Sequence, residues 1–351
     1  MLRRFSSLLW PYNALLLIRA NRHVHSVMGA FGLNASILDA ANISWKLGMC
    51  VKLQARMDKL LPTYDRERRL HAASIIDISG KYLRFVCNSR LPIAQVYDLG
   101  ADLGLDKSDP RVNTVKQHAE KEEPAHKNGD FSSRNEAKAF VGAFFTQHGQ
   151  FLLGVDAAYG HTCLNPPTAI SNGDANNNTS ASTMVRNGVR APNPRVCLNL
   201  DRTGYLYDVL QGAGRFHLVV FGSSLRGTAR QKLLKFARTL TKENPQSFYW
   251  RFGGPVLFNT VLVAKGTPFE IDEQLAESSD LRVFRQMATV LADDRAPDGD
   301  AHSTWGVNHR QGAVVLIRPD LWVGISVMLD DTDGLGDYLG GFLTSQHREH
   351  N

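Results

Sequence analysis

The spacing of hydrophobic and polar positions predicts two helices in the first part of the chain. Apolar residues recur every three to four positions just after a stretch that contains two glycines, which is typical of one buried helix face. Asn34 or Ser36 can cap this helix, because either side-chain oxygen accepts from N–H groups one turn on. A second helix is predicted from about Thr63 to Phe85. The apolar face of the first helix consists of Ile37, Leu38, Ala41 and Trp45.

In the second part, short apolar runs rich in β-branched residues predict buried strands, and patterned segments between them predict helices. A hairpin is expected to bend at Pro319-Asp320, since proline presets the first corner of a turn. The predicted strands are Phe216–Phe221, Val256–Ala264, Ala313–Arg318 and Trp322–Val327, with Phe151–Val155 as a further candidate. The predicted helices are Ala229–Thr239, Leu281–Met287 and Leu335–Leu343.

Charge is placed unevenly along the 351 residues, whose formal net charge is +6. Residues 1–38 hold four arginines and no acidic residue, and the rest of the chain is close to neutral. This pattern differs from the clustered basic surface of a nucleic-acid-binding protein. No apolar run is long enough to span a bilayer, so we expect a cytoplasmic protein. The alternative is a mitochondrial one, because an arginine-rich start without acids is typical of a transit peptide.

Cysteine and histidine positions argue against thiol and metal chemistry. The cysteines lie far apart without a Cys-x-x-Cys pair, and His118, His126 and His148 lack the spacing of metal ligands. We therefore expect no metal site. We find no Ser-His-Asp arrangement or carboxylate pair in a recognisable motif, so the catalytic residues are left unassigned. The four cysteines are Cys50, Cys87, Cys163 and Cys197.

The stretch His23–Leu47 is the strongest candidate for a functional site. Gly29 and Gly32 lie three residues apart just before the first helix, where glycines allow the main chain to bend and a flat ligand to approach it. A helix N-terminus attracts electron-rich or anionic groups. The alternative is a tight turn that simply leads into a buried helix.

This stretch resembles the second flavin-contact motif of the FAD-dependent aromatic hydroxylases, the family of phenol 2-monooxygenase and 4-hydroxybenzoate hydroxylase. That motif contains Gly-Asp-x-x-His, then Pro-x-Gly-Ala-x-Gly-x-Asn, then a helix with Asp-x-x-Asn-Leu-x-Trp-Lys-Leu. The Gly-Asp pair of the motif falls here on Arg19 and Ala20, and its proline falls on Val27. The matching residues are His23, Gly29, Ala30, Gly32, Asn34, Asp39, Asn42, Trp45, Lys46 and Leu47.

The resemblance implies that main-chain N–H groups of Gly32, Leu33 and Asn34 contact the pyrimidine edge of the flavin. Gly29 and Ala30 then shape its approach. His23 matches the motif histidine, for which a structural hydrogen bond is favoured over a catalytic role. The string Thr63–Arg69 resembles the Tyr-x-x-Glu-Arg-Arg element of the same family, which implies docking beside the flavin domain; a solvated, salt-bridged helix face is the alternative.

The second part resembles the C-terminal domain of phenol hydroxylases, because strand, helix, strand, helix, hairpin and helix follow one another in thioredoxin-like order. A working thioredoxin needs two thiols just after its first buried strand, where this chain has Gly222-Ser223-Ser224-Leu225. The resemblance therefore implies a scaffold or a dimer surface. It is carried by Arg190-Ala191-Pro192, Leu206–Leu210, Ile317–Asp320 and Trp322–Gly324.

The predicted fold class is α/β: a helical remnant of an FAD-binding, glutathione-reductase-like domain followed by a thioredoxin-like domain. The predicted domains are an atypical leader or truncation scar (1–22), a partial FAD-binding and substrate domain (23–165), a linker (166–187) and the thioredoxin-like domain (188–345).

The resemblance implies a portion of a flavin-dependent monooxygenase that hydroxylates phenolic substrates with FAD, NADPH and O2. The chain contains no Gly-x-Gly-x-x-Gly, so we expect it to be incomplete and inactive alone. A homodimer through the C-terminal domain is expected, without nucleic acid or membrane partners. The alternative function is a non-catalytic thioredoxin-like dimerisation or interaction module.

Overall fold

A computed structural model describes residues 31–87, 134–155, 157–168, 182–212, 214–293 and 300–346. Contacts divide the chain into two compact units. The first unit comprises Met1–Ile43 and Pro62–Gly160, and the second comprises Ser44–Leu61 and His161–Asn351. The predicted leader and most of the predicted linker lie outside the described residues, and the predicted domain boundaries stay predictions.

Helices make up the described part of the first unit. The helices of this part of the chain are α1 (Phe31–Val51), α2 (Met57–Leu60), α3 (Pro62–Cys87) and α4 (Arg134–Leu152). Helix α1 continues from the first unit into Ser44–Val51 of the second, and α2 belongs to the second. Apolar side chains from α1, α3 and α4 pack together, which follows from their spacing on one face of each helix. This core consists of Ala35, Ile75, Ile78, Phe144 and Leu152.

The predicted helix α3 is confirmed, but three local predictions in this unit are wrong. Asn34 and Ser36 are not caps, because the backbone is already helical at Phe31 and the Ser36 hydroxyl donates to the Gly32 carbonyl one turn back. Ile37 is exposed rather than buried. Phe151 ends α4 instead of starting a strand. A run of five apolar residues fits either a strand or a buried helix end, so its spacing alone does not decide.

A seven-stranded sheet forms the centre of the second unit, with the strand order β2-β1-β5-β4-β3-β6-β7. Strands β3, β4 and β5 run parallel, whereas β6, β7, β1 and β2 pair in antiparallel fashion. The strands are β1 (Arg195–Cys197), β2 (Thr203–Tyr205), β3 (Phe216–Ser224), β4 (Phe258–Lys265), β5 (Ala288–Ala292), β6 (Ala313–Ile317) and β7 (Val323–Val327).

Short helices connect these strands. They are α5 (Arg230–Ala237), α6 (Phe248–Arg251), α7 (Pro268–Glu277), α8 (Arg282–Met287), α9 (Ala301–Trp305) and α10 (Thr332–Gly340), with 3-10 turns at Leu206–Asp208 and Gly254–Val256. None of the helices in the described ranges combines the length and apolar character that a bilayer crossing requires.

The predicted strands β3, β4, β6 and β7 are confirmed, and together they give the sheet order β4-β3-β6-β7 of a thioredoxin-like core. From Phe216 to Ser223 every residue of β3 is buried, and its sequence is accordingly apolar except for His217 and Ser223. The hairpin also bends where predicted: Leu321 N–H donates to the Arg318 carbonyl at 2.9 Å, with Pro319 at the first corner. Strand β5 and helix α7 were not predicted.

Candidate functional site

The described part of the predicted flavin contact lies at the start of α1. His23, Gly29 and Ala30 lie outside the described residues, whereas Gly32, Leu33 and Asn34 are helical. The Asn34 side-chain amide donates to the Leu152 carbonyl at 3.4 Å. This bond attaches the start of α1 to the end of α4 and turns the Asn34 side chain toward the protein.

The outer side of the same turn is open. Leu33 is 71% exposed and Ile37, one turn on, is 57% exposed. Residues four apart lie on one helix face, so these two side chains form an exposed apolar ledge beside the main chain of residues 32–34. A flavin ring is flat, with one apolar and one polar half, and an exposed apolar ledge beside main-chain groups is compatible with such a ring.

The inner side of α1 carries the charged residue of the motif. Arg68 Nε of α3 forms an ion pair with Asp39, while its Nη1 donates to the Tyr159 hydroxyl at 3.2 Å and its Nη2 to the Ala35 carbonyl at 3.3 Å. Burial opposes the charge, but Tyr159 and Asp39 outweigh it and raise the pKa of Arg68. The guanidinium therefore stays charged and ties α3 to α1.

The motif asparagine makes a second tie between these helices. Asn42 Nδ2 donates to Glu67 Oε2 at 2.7 Å, and both residues are buried. Within the Thr63–Arg69 string, Glu67 and Arg68 thus dock on α1, whereas Arg69 forms a partly buried i,i+4 ion pair with Asp65. Docking of the string beside a flavin stays a prediction.

In the second unit, the motif tryptophan belongs to a buried polar cluster that sequence analysis missed. Trp45 Nε1 donates to Asp320 Oδ2 at 3.1 Å. Arg318 donates to both oxygens of Asp320, at 3.0 and 2.6 Å, and to Asn165 Oδ1 at 3.0 Å. The resemblance singles out both the stretch that contains Trp45 and the string Ile317–Asp320. Nothing in the sequence indicates that these two segments meet.

The corner at the end of β3 is held by a histidine rather than by thiols. Ser223 has φ +55°, a conformation that L residues rarely adopt, and its main-chain N–H donates to His302 Nε2 at 3.1 Å. His302 Nδ1 donates to Asp293 Oδ2 at 2.5 Å. Burial lowers the pKa of His302, although Asp293 opposes this. The imidazole is therefore neutral, with its proton on Nδ1.

The fold brings Ser223, His302 and Asp293 together although no recognisable sequence motif marks them. The arrangement is not a nucleophilic one. Nε2 already accepts from the Ser223 main chain, and all three residues are buried. The Ser223 hydroxyl is itself buried without a hydrogen-bond partner among the described residues. The trio braces the corner of the sheet.

Asp293, Asp300 and His302 also place potential metal-ligand atoms within 4.8 Å of one another. Lys265 Nζ lies 2.7 Å from Asp300 Oδ2 and 4.0 Å from Asp293 Oδ2. Although burial opposes it, hydrogen bonds from Lys265 and Ser303 hold the pKa of Asp300 below its ordinary value. The ammonium of this lysine supplies the positive charge that the carboxylates need.

The three cysteines with described side chains form no disulfide bond with one another. Cys50 and Cys197 are buried, and burial raises the pKa of Cys50 to about 11. Cys163 is exposed, and its thiol lies 3.6 Å from the Lys59 carbonyl. None of them follows β3, in keeping with the sequence Gly222-Ser223-Ser224-Leu225 at that corner.

Comparison with known proteins matches residues 157–347 to the model of the phenol hydroxylase C-terminal dimerisation domain and residues 10–79 to that of an FAD binding domain. An FAD-dependent monooxygenase of Aspergillus terreus is 44% identical over 319 residues, which are 91% of this chain and 41% of that protein. The phenol 2-monooxygenase fsqG of Aspergillus fumigatus is 24% identical over 336 residues, 94% of this chain and 48% of that protein.

Among solved structures, the ternary complex of aklavinone-11 hydroxylase with FAD and aklavinone shares 15% identity at a TM-score of 0.45, over 90% of this chain and 41% of that one. The chain thus spans less than half the length of these relatives. The predicted fold class, a helical part of an FAD-binding domain followed by a thioredoxin-like domain, is confirmed. With the dimerisation-domain model covering more than half of its residues, the chain belongs to the phenol hydroxylase family of FAD-dependent monooxygenases.

Proposed function

We propose that this chain supplies the flavin-contact helix and the dimerisation domain of a monooxygenase that hydroxylates phenolic substrates, with NADPH as the reductant. The observation that carries the proposal is the family match over residues 157–347. Helix α1 adds to it, because its Asp39 and Asn42 make specific contacts with α3 and leave the Leu33 side open. The name of the Aspergillus fumigatus relative supports a phenolic substrate.

In this proposal, the main-chain N–H groups of Gly32, Leu33 and Asn34 hold the pyrimidine edge of the flavin. Gly29, Ala30 and His23 complete the contact, as the motif implies. N–H groups in the first turns of a helix stabilise negative charge that develops on a bound ring. When bound, FAD supplies the redox chemistry that activates O2 for insertion of one oxygen atom into an aromatic ring.

We further propose that the 351 residues alone do not hydroxylate phenols. The dinucleotide motif Gly-x-Gly-x-x-Gly does not occur in them, and Arg19-Ala20 stands where the family motif has Gly-Asp. The Gly-rich turn allows close approach of a pyrophosphate to the backbone, so FAD is expected to bind less tightly than in a chain that carries this turn.

Titration of the purified chain with FAD tests the cofactor contact. Binding is expected to quench flavin fluorescence and to leave a yellow protein after desalting. Gly32→Val places a branched side chain at the proposed contact and is expected to weaken binding at least tenfold. Gly48→Val is the matched control, because a side chain at Gly48 of the same helix meets no atom within 4 Å. A colourless protein at saturating FAD, or equal effects of both variants, contradicts the proposal.

The second candidate is a non-catalytic dimerisation module, favoured by the closed corner at Ser223 and by the dimerisation-domain match. Sedimentation equilibrium of the full chain with FAD, recorded at a flavin absorbance band, separates the two, because it reports both the mass and the bound flavin. We propose a homodimer in either case, so twice the chain mass is expected. A dimer that binds FAD supports the monooxygenase part, whereas a dimer that stays colourless supports the module. A monomer at micromolar concentration contradicts the homodimer.

A further inference from the structure

We propose that Arg318 and Asp320, in the bend between β6 and β7, are positioning residues for the proposed flavin helix, and that they act by gripping Trp45 of α1. The flavin part of this inference rests on the proposed function. The anchor itself rests only on contacts within the second unit.

Trp45 meets both members of the pair. Its Nε1 donates to Asp320 Oδ2 at 3.1 Å, and the Arg318 guanidinium carbon lies 5.5 Å from the centre of its ring. A cation over an indole face and a hydrogen bond to a carboxylate are both strengthened where water is excluded. These two contacts therefore fix both the orientation of the indole ring and its distance from Arg318 and Asp320.

Hydrogen bonds hold Arg318 and Asp320 in one geometry. Arg318 binds Asp320 through two nitrogens, and Asn165 takes a third hydrogen bond from the guanidinium. The side chains of Arg318 and Asp320 are at most 1% exposed. Buried charges are tolerated only while their partners stay in place, so the cluster has one favoured arrangement. Trp45 completes it by supplying a second donor to Asp320 Oδ2.

Helix α1 connects Trp45 to the proposed flavin contact. Helix α1 is continuous from Phe31 to Val51. Asn34 and Trp45 are 11 residues apart, which is about three helical turns, so they project from nearly the same side of α1 about 17 Å apart. Because α1 is one continuous helix, we infer that holding Trp45 in place limits how far the turn at residues 32–34 can shift.

The experiment compares two conservative variants with a stability-matched control in the full chain. Trp45→Phe keeps a ring over Arg318 but removes the N–H donor, and Asp320→Asn keeps the shape but removes the charge. Val315→Ala is the control, because Val315 is a buried residue of β6 in the apolar core of the sheet. Thermal unfolding shows whether the three variants lose comparable stability.

The first readout is hydrogen–deuterium exchange of α1 amides without FAD. Trp45→Phe and Asp320→Asn are expected to speed exchange in residues 44–51 about tenfold, while Val315→Ala leaves it unchanged, because loss of one hydrogen bond to a charged group acts locally. Unchanged exchange in both variants, or equal acceleration in the control, overturns the anchor.

The second readout is the FAD dissociation constant. The two anchor variants are expected to raise it about tenfold, and Val315→Ala is expected to leave it unchanged. Normal FAD affinity in variants with accelerated exchange overturns the positioning role. If the unaltered chain binds no FAD, the proposed function fails, whereas the exchange experiment still decides whether the anchor exists.

Discussion

Asn42 of α1 and Glu67 of α3 meet at 2.7 Å, so an amide of the flavin-contact motif binds a buried carboxylate rather than facing outward. Asn42→Leu keeps the approximate volume but removes this donor. We expect a loss of about 2–3 kcal/mol in the free energy of unfolding, because a hydrogen bond to a charged group is lost at a buried site. Urea denaturation measures it.

The control for this variant lies on α3, the helix that carries the partner Glu67. Asp77→Asn removes an i,i+4 ion pair with Lys81 on the surface of α3. A pair of this kind contributes less than about 0.5 kcal/mol. Equal losses of unfolding free energy in Asn42→Leu and Asp77→Asn would show that the buried hydrogen bond stabilises the fold no more than the Asp77–Lys81 ion pair does.

Arg68 and Arg69 are neighbours in α3 with different environments, which allows a direct comparison. Arg68 is buried against Asp39, Tyr159 and Ala35, whereas the side chains of Arg69 and its partner Asp65 are each 14% exposed. Arg68→Met is expected to lower the free energy of unfolding by about 3–5 kcal/mol, because Asp39 loses a buried partner. Arg69→Met is expected to cost less than Arg68→Met, because Asp65 keeps access to water. Urea denaturation that ranks them the other way contradicts this account.

Two glycines with similar backbone angles test the packing behind β3. Gly312 has φ +66°, and a side chain there would meet the Phe221 carbonyl oxygen at 2.6 Å. Gly214 has φ +80° and open space. Gly214→Ala is expected to cost about 1–2 kcal/mol from backbone strain alone. Gly312→Ala is expected to lower the melting temperature by several degrees more than Gly214→Ala, because the added side chain also clashes with the Phe221 carbonyl oxygen. Equal melting temperatures would show that strain, and not the clash, dominates at Gly312.

The stability of the sheet is expected to fall in mild acid. Burial, helped by Arg215, lowers the pKa of His217 to about 4, below its ordinary value of 6.5. Between these pH values the unfolded chain binds a proton that the folded chain does not. Stability is therefore complete above about pH 6.5 and is lost as the pH falls toward 4, by up to about 3 kcal/mol.

Urea denaturation at a series of pH values measures this dependence. Asn259 Nδ2 lies 3.1 Å from His217 Nδ1, which suits a neutral ring that accepts this hydrogen bond. His217→Gln is expected to flatten the slope between pH 6.5 and 4 without abolishing it, because burial also lowers the pKa of His302. A slope unchanged in His217→Gln would assign the dependence to other groups.

Strands β3, β4, β6 and β7 were predictable because continuous β-branched runs and the Pro319 corner leave few alternatives. Strand β5 was missed because Ala-Thr-Val-Leu-Ala is short and only weakly apolar. Helix α7 did carry a signal: Thr267 and Glu270 form a capping box around Pro268, which marks a helix start. The strand expected at Phe151 was wrong because the same apolar residues complete a helix.

The polar clusters could not be predicted from the sequence, because their members lie far apart along the chain. Trp45 and Asp320 are 275 residues apart, and Ser223 and His302 are 79 apart. The motif resemblance singled out Asp39, but not its role as the partner of Arg68. Such pairings depend on which elements the fold brings together, and spacing along one chain does not encode that.

The histidine-braced serine at the end of β3 has a consequence for the chemistry of the cell around it. Peroxide, glutathione and oxidised thiols act on sulfur, and the Gly222–Leu225 corner offers them none. That corner therefore keeps one shape in reducing and in oxidising surroundings alike.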